Sequence, residues 1–417
     1  MSIIVEVEGT AIPDGIISLI QNLPRPGELV ERSETIVLHF PDKFIYRTGL
    51  VLLSTWRKTL PPSIEVRVDD SDCHPAAQRL IENSGFKDLI ESNLEASRNS
   101  GYQSTNVAIQ PLVRGYSTEQ TVAQICGILD SASGGLNISA FRVLLSELCE
   151  NVFAHSEFEL PGYISADLHG GYCEIVIADS GIGIYKSYLE GTNEEAKRQI
   201  LGGSSSIELA LNGLSSSKPT PPPGMLRSHY GYGLFIVRRL IEENEGRLTV
   251  ISGSECISIE RYSKMRPTIA PPWNGTFVGM LLNLNKPLPL EAVYEEGVEM
   301  MVSPISSSTS SAARVTPAPP VVEGVEFALS NYGSQLLTRE VGVTIRADMA
   351  TILASGRKIN LSLEGVEDLT PSVADECFGK LAESMGEESF RDRVSLVGGH
   401  PLLQRLVEFV IRTRLGK

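Results

Sequence analysis

The 417-residue chain has no apolar run long enough to span a bilayer, and no basic-then-apolar leader follows Met1. Both absences point to a soluble intracellular protein, with the cytoplasm as its expected location. Positive charge is scarce as well. Lys and Arg total 36 against 51 Asp and Glu, a formal net charge of -15. That balance argues against a nonspecific nucleic-acid surface or an anionic-membrane surface, both of which need clustered Lys and Arg, so neither partner is expected. The six cysteines, Cys73, Cys126, Cys149, Cys173, Cys256 and Cys377, form no C-x-x-C pair and read as reduced, mostly core thiols.

What is present suffices for several folded units. With 42% hydrophobic and 21% charged residues over this length, two to four globular domains are expected. Three short motifs carry the chemistry. Between Phe141 and Ser156, Leu145, Leu148, Cys149 and Val152 recur at i, i+3, i+4 and i+7, the stripe of a helix facing a core. Glu147, Asn151 and His155 recur every fourth residue and share a neighbouring face. One helix can thus present a carboxylate able to polarise a water or hydroxyl, a carboxamide oxygen suited to magnesium, and an imidazole.

The second motif is Asp179-Ser180-Gly181-Ile182-Gly183-Ile184. It follows two strands, Tyr163 to Leu168 and Tyr172 to Ala178, joined at Gly170-Gly171 as a two-residue hairpin. Asp179 would be a pure acceptor at a pocket edge, suited to an exocyclic amine, and Gly181 and Gly183 let the backbone pass close to a flat base. In the third motif, Gly231-Tyr232-Gly233-Leu234 opens a helix through Ile241, and helix N-termini attract phosphate. Segments from Arg247 and from Gly275-Thr276 to Leu282 read as closing strands.

In order and spacing these residues resemble the N box and both glycine boxes of the GHKL superfamily, over roughly residues 105–290. The resemblance implies the Bergerat α+β sandwich, with ATP and Mg2+ as cofactors. It makes Glu147 the general base and Asn151 the magnesium ligand. Asp179 would take the adenine amine, with Thr276 supporting it through a water. Gly181, Gly183 and Ile184 would line the base and sugar, and Gly231, Gly233 and Leu234 the phosphates. His155 joins the nucleotide-binding candidates, against capping of its own helix end as the plainer role. The Ser-, Pro- and Gly-rich stretch 202–228 sits where the superfamily carries its ATP lid, with Lys218, Arg227 and His229 as candidates for the terminal phosphate. A passive surface insertion is the alternative.

The Ser/Thr/Ala/Pro-rich stretch 303–320 reads as a disordered linker. Beyond it, residues 323–417 alternate strand and helix (Lys358 to Leu363, Ser372 to Ser384, Arg393 to Val397, Pro401 to Arg414), and the segment Asn360 to Ser372 resembles STAS domains. Ser372 falls near the position often phosphorylated in that family, although Pro371 and Val373 depart from its pattern. Residues 1–95 repeat this more faintly, with Thr48 at the corresponding serine position. Helix N-capping is the preferred role for both hydroxyls. The overall fold class is therefore α/β: a GHKL core with a small STAS-like unit at each end.

This arrangement resembles the anti-sigma serine/threonine kinases and their STAS partners, joined in one chain. It implies ATP as ligand, a STAS-type, sigma-factor-like or other regulatory protein as partner, and a homodimer as a further candidate. A histidine autokinase would need an acceptor His on a dimerising helix ahead of the ATP unit, and none lies between His74 and His155. Two readings stand: a Mg-dependent ATPase or Ser/Thr kinase, and a nucleotide-gated interaction protein in which lid closure controls docking of the STAS-like units.

Overall fold

The computed structural model describes residues 2–8, 13–29, 35–42, 45–93, 102–103, 105–112, 118–133, 138–155, 162–191, 193–212, 233–260, 263–266, 268–289, 292–293, 296, 324–336 and 339–415. The expected linker 303–320 lies outside them.

The chain begins with three parallel strands, β1 (Ser2–Glu6), β2 (Thr35–His39) and β3 (Glu65–Asp69), side by side in sequence order. Helices α1 (Asp14–Asn22) and α2 (Arg47–Thr59) make the crossovers, and α3 (Pro75–Asn83) and α4 (Phe86–Glu91) follow. Parallel neighbours need such crossovers, which cover the sheet with helices and leave its strands apolar. Ile36, Leu38 and Val66 are accordingly buried. Ile16, Ile17, Leu19 and Ile20 form a buried stripe on α1.

The centre is a seven-stranded sheet. Its strands are β4 (Tyr102–Gln103), β5 (Asn106–Leu112), β6 (Gly162–His169), β7 (Tyr172–Ala178), β8 (Arg247–Glu260), β9 (Ser263–Met265) and β10 (Thr268–Asn283), in the order β4-β5-β6-β7-β10-β8-β9. Gly170 and Gly171, at φ +56° and +81°, close the β6–β7 hairpin as its two central residues, a conformation that favours glycine at both. Helices α5 (Thr118–Ala132), α6 (Ile138–His155) and α10 (Gly233–Glu243) bury their apolar faces on one side, with α7 (Gly183–Glu190), α8 (Glu194–Leu201) and α9 (Ser206–Leu211) beside them.

The other side of this sheet is covered by the N-terminal unit. Helix α2 packs on β6 and β7, and α1 on β10. Alternate strand residues therefore enter two cores: Ile164, Ile175 and Ile177 join the helical side, and Tyr163, Val176 and Ala178 join Leu50, Leu53 and Trp56. Burial on both faces explains why β7 runs apolar almost without alternation, every residue from Cys173 to Ala178 being buried.

The C-terminal unit repeats the sequential parallel order in β11 (Val325–Ala328), β13 (Ile359–Ser362) and β15 (Val394–Val397). A short ladder joins β12 (Gln335–Leu336) to β14 (Asp368–Leu369), and β14 packs against α6. The helices Arg339–Ala354 and Pro401–Arg414 flank the unit, and a π-helical turn, Asp375–Gly379, interrupts the stretch from Pro371 to Met385. That turn buries Glu376 between Arg346 (2.9 Å) and Lys380 (2.6 Å), and Asp375 beside Arg414 (3.4 Å). The apolar core of this unit is continuous with that of the helical side of the central sheet. Among the described residues no helix is long and apolar enough to cross a membrane, and all six cysteines are buried thiols outside any disulfide.

Candidate nucleotide site

Helix α6 begins the site. Leu145, Leu148, Cys149 and Val152 are buried as their spacing requires, and Glu147 and Asn151, one turn apart, are both half-buried on the adjoining face. His155 is the last residue of the helix. What seats α6 against the sheet is a glycine that the motif reading passes over. A Cβ on Gly162, the first residue of β6, would stand 2.7 Å from Val152 Cγ1, 3.1 Å from the Ala178 carbonyl oxygen and 3.5 Å from Asp179 Cβ. The bare glycine thus lets the turn of α6 that carries Asn151 approach the strand end that carries Asp179.

Asp179 follows β7 directly and is buried. Its amide donates to the Thr276 carbonyl (2.9 Å), and its carboxylate accepts the Gly181 N–H (2.8 Å), which turns the chain sharply. Burial pushes the carboxyl up to about 6, while backbone hydrogen bonds from Gly181 and Thr276 pull the other way.

The two glycine segments meet at one hydroxyl. Ser252 Oγ, on β8, accepts the Ile184 N–H (2.8 Å) and donates to the Gly275 carbonyl (2.9 Å). Gly183 and Gly275 hold φ +73° and +103°, and a Cβ on Gly183 would meet Ser252 Oγ at 2.8 Å and the Gly275 carbonyl oxygen at 3.0 Å. Asp179, Gly181, Gly183, Ile184, Thr276 and Ser252 therefore surround one strand end. Ser252 carries no sequence signal, being one of three serines on β8 until pairing sets it opposite Thr276.

The third motif is described only in part. Gly233 opens α10 and Leu234 is partly buried against the core, whereas Gly231 lies outside the described residues. So do positions 213–228, with Lys218 and Arg227, and His229.

The first part of the expected lid is a correction. Positions 206–211 form α9, held to the sheet by Glu255 of β8. Ser205 Oγ donates to that carboxylate at 2.5 Å, Ser206 Oγ at 2.7 Å and Ser206 N–H at 3.1 Å, while Ile207 and Leu211 are buried. Ser205 Oγ also caps the helix by accepting the Glu208 N–H (3.2 Å). The Ser-rich composition suggested a breaker, yet Ser205-Ser206-Ile207-Glu208 has the spacing of a capping box.

The capping roles of Thr48 and Ser372 are corrected too. Thr48 is the second residue of α2 and fully buried, and the residue at the cap is Tyr46, which makes no side-chain cap hydrogen bond. Ser372 is the second residue of the Pro371–Ala374 helix, and the cap is supplied by Thr370, whose Oγ1 accepts the Val373 N–H (3.2 Å). His74 caps α3, its Nδ1 accepting the Ala76 N–H (3.2 Å).

Residues 137–266 match the family described as histidine kinase-, DNA gyrase B-, and HSP90-like ATPase, and residues 341–401 match the STAS-like domain of unknown function DUF4325. The chain carries a GHKL domain and a STAS-like domain. The GHKL match takes in α6, Asp179 and Ser252 and ends before Gly275 and Thr276. No curated protein matches the sequence. A solved structure of full-length ShkA in complex with AMPPNP is 13% identical, with 81% of this chain and 63% of that chain covered at a TM-score of 0.20, so the present chain spans less than two thirds of it and the likeness carries no argument.

Proposed function

We propose that the protein is an ATP-dependent regulatory switch: a Mg2+-dependent ATPase whose STAS-like domain reads the state of the nucleotide site through α6. The observation that carries this reading is the double engagement of that one helix. Glu147 and Asn151 lie a turn apart and half-buried on it, next to Val152, which Gly162 seats near Asp179, and the same helix packs against β14 of the STAS-like domain. A rigid helix shared by two units is a direct way to bias one by the other.

The site fits ATP and magnesium. Gly183 and Gly275 let their segments close tightly on Ser252 and on the Asp179 backbone, which fixes the Asp179 carboxylate as an acceptor for the adenine amine. Among the described residues no three His, Cys, Asp or Glu side chains gather as a metal site. Magnesium held here would rely on Asn151, phosphate oxygens and water, its usual mode with nucleotides. Glu147 is assigned as the base: it takes the proton of an attacking water as the water oxygen bonds to the terminal phosphorus and the bond to ADP breaks. Transfer to a Ser or Thr would use the same base. Since Thr48 is fully buried, that variant favours a separate STAS-type or other regulatory partner over this hydroxyl.

Full-length protein incubated with γ-labelled ATP and Mg2+ tests the assignment. Free phosphate is expected, lost in Glu147→Ala with ATP binding retained, while Asn151→Ala weakens Mg2+-dependent binding itself. Label on protein would turn the reading to a kinase. Binding with neither product would replace it by a nucleotide-gated interaction protein.

A further inference from the structure

The strands that build the adenine end of the site turn alternate residues to two sides. Asp179 and Ser252 bond the Gly181–Ile184 turn and Thr276 pairs with Ser252, while their immediate neighbours Ala178, Phe277 and Ile251 form a row across β7, β10 and β8. All three neighbours are fully buried in the core made with the N-terminal unit. Period-two geometry thus leaves a single residue step between the proposed nucleotide contacts and that unit.

Helix α2 spans this back face. Near its C-terminal end, Thr55 is fully buried, its Oγ1 donating to the Val51 carbonyl (2.9 Å) and lying 3.5 Å from the carbonyl oxygen of Ala178, the residue before Asp179. At its first residue, Arg47 is buried within the sheet's back face. Arg47 Nη1 donates to the Val107 carbonyl (3.2 Å) and to Ser165 Oγ (3.0 Å), and Nε stands 3.4 Å from the Asp167 carboxylate. A guanidinium taken this far out of water is held only in a well-defined geometry, so it registers α2 against the strands.

We propose that the N-terminal α/β unit sets ATP affinity from behind the sheet, with Thr55 and Arg47 of α2 as positioning residues for Asp179. This deepens the ATP reading and rests on it. The unit is then a built-in regulatory element: whatever shifts α2 along the sheet, including a partner bound to the N-terminal unit, moves Ala178 and with it the acceptor for adenine. By linkage, ATP must in turn stabilise the docking of α2.

The test uses the full-length protein with Thr55→Val, which keeps shape and removes the hydroxyl, and Arg47→Lys, which keeps charge and removes the fork. ATP, ADP and adenosine are compared by competition against a fluorescent ATP analogue. Both variants should weaken all three ligands by one common factor, about three- to thirtyfold, because the displaced group meets the base and not the phosphates. ATP should also slow amide exchange along α2 in the unmodified protein. Unchanged affinities, a loss that appears for ATP but not adenosine, or α2 exchange indifferent to ATP would each overturn the proposal. Should Arg47→Lys fail to fold, Thr55→Val and the exchange measurement decide. Unmodified protein that binds no ATP, or Asp179→Asn that binds it normally, would remove the ATP reading first and this inference with it.

Discussion

A Cβ on Gly275 would stand 2.1 Å from the carbonyl oxygen of Asp179, closer than any non-bonded contact allows. The strand that carries Thr276 is therefore pressed against the backbone of the proposed adenine acceptor. Gly275 also holds φ +103°, a conformation that L side chains rarely adopt. Gly275→Ala should displace Asp179 and lower ATP affinity at least tenfold, with a stability loss of about 1 to 3 kcal/mol from the backbone conformation alone. Calorimetric titration and thermal melting read the two effects, and an alanine variant with native affinity would place the nucleotide elsewhere.

Asp179 makes ATP binding sensitive to acid. Its carboxyl is raised to about 6 by burial, and only the ionised form presents acceptors alone to an exocyclic amine. Affinity should be constant above pH 7 and fall below about 6, by at most about tenfold per pH unit, with release of one proton on binding in that range. Asp179→Asn should bind roughly tenfold more weakly or worse, since a misplaced amide leaves the adenine amine unpaired, and should lose the acidic limb. Titrations in buffers of differing ionisation enthalpy measure the proton directly, and an acidic limb that persists in the asparagine variant would assign it to another group.

Much of the site is legible in the residues because its chemistry is local. Asp179, Gly181 and Gly183 lie within one turn, and the Glu147–Asn151 spacing specifies a shared helix face. Ser252 and Gly162 escape notice because their roles are set by pairing and packing: Ser252 opposes Thr276 only after β8 and β10 take their register, across a bulge between Trp273 and Thr276. Arg47 is similarly hidden, since nothing in Tyr46-Arg47-Thr48 reveals that the guanidinium enters a sheet more than a hundred residues away at Ser165. The continuous burial of β7 does carry a trace of the second cover, because a one-sided antiparallel sheet would alternate.

The anchoring of α9 predicts order without nucleotide. Glu255 draws together the hydroxyls of Ser205 and Ser206 and the Ser206 amide, and a carboxylate accepting several hydrogen bonds holds a helix start firmly. Residues 206–211 should therefore resist protease before ATP is added. Glu255→Ala should expose them, at a cost of about 1 to 3 kcal/mol for the donors left without an acceptor. Limited proteolysis followed by mass analysis locates the cuts, and cleavage there in the unmodified protein without nucleotide would contradict the anchor.

The buried charges behind the sheet predict how stability varies with pH. Glu174 shares the back face with Arg47 and Asp167, and burial, reinforced by Asp167, raises its carboxyl to about 7 against the pull of Arg47. A carboxyl raised in the folded state is protonated there while the unfolded chain has already ionised. Its stabilising contribution is complete below its ordinary value, near 4.3, and is lost as pH rises to about 7. With a shift of between two and three pH units, the loss is on the order of 3 kcal/mol. Asp167 is raised in the same direction, chiefly by burial, and adds to the slope. Glu174→Gln, neutral throughout, should flatten the fall in melting temperature between pH 5 and pH 7 and leave the variant relatively more stable at pH 8 than at pH 5. Because Arg47 retains Asp167 as its ion-pair partner, the N-terminal unit should stay docked in this variant, so the slope can be read by calorimetry on folded protein. An unaltered slope would mean that Glu174 stays ionised across this range, with Arg47 outweighing its burial.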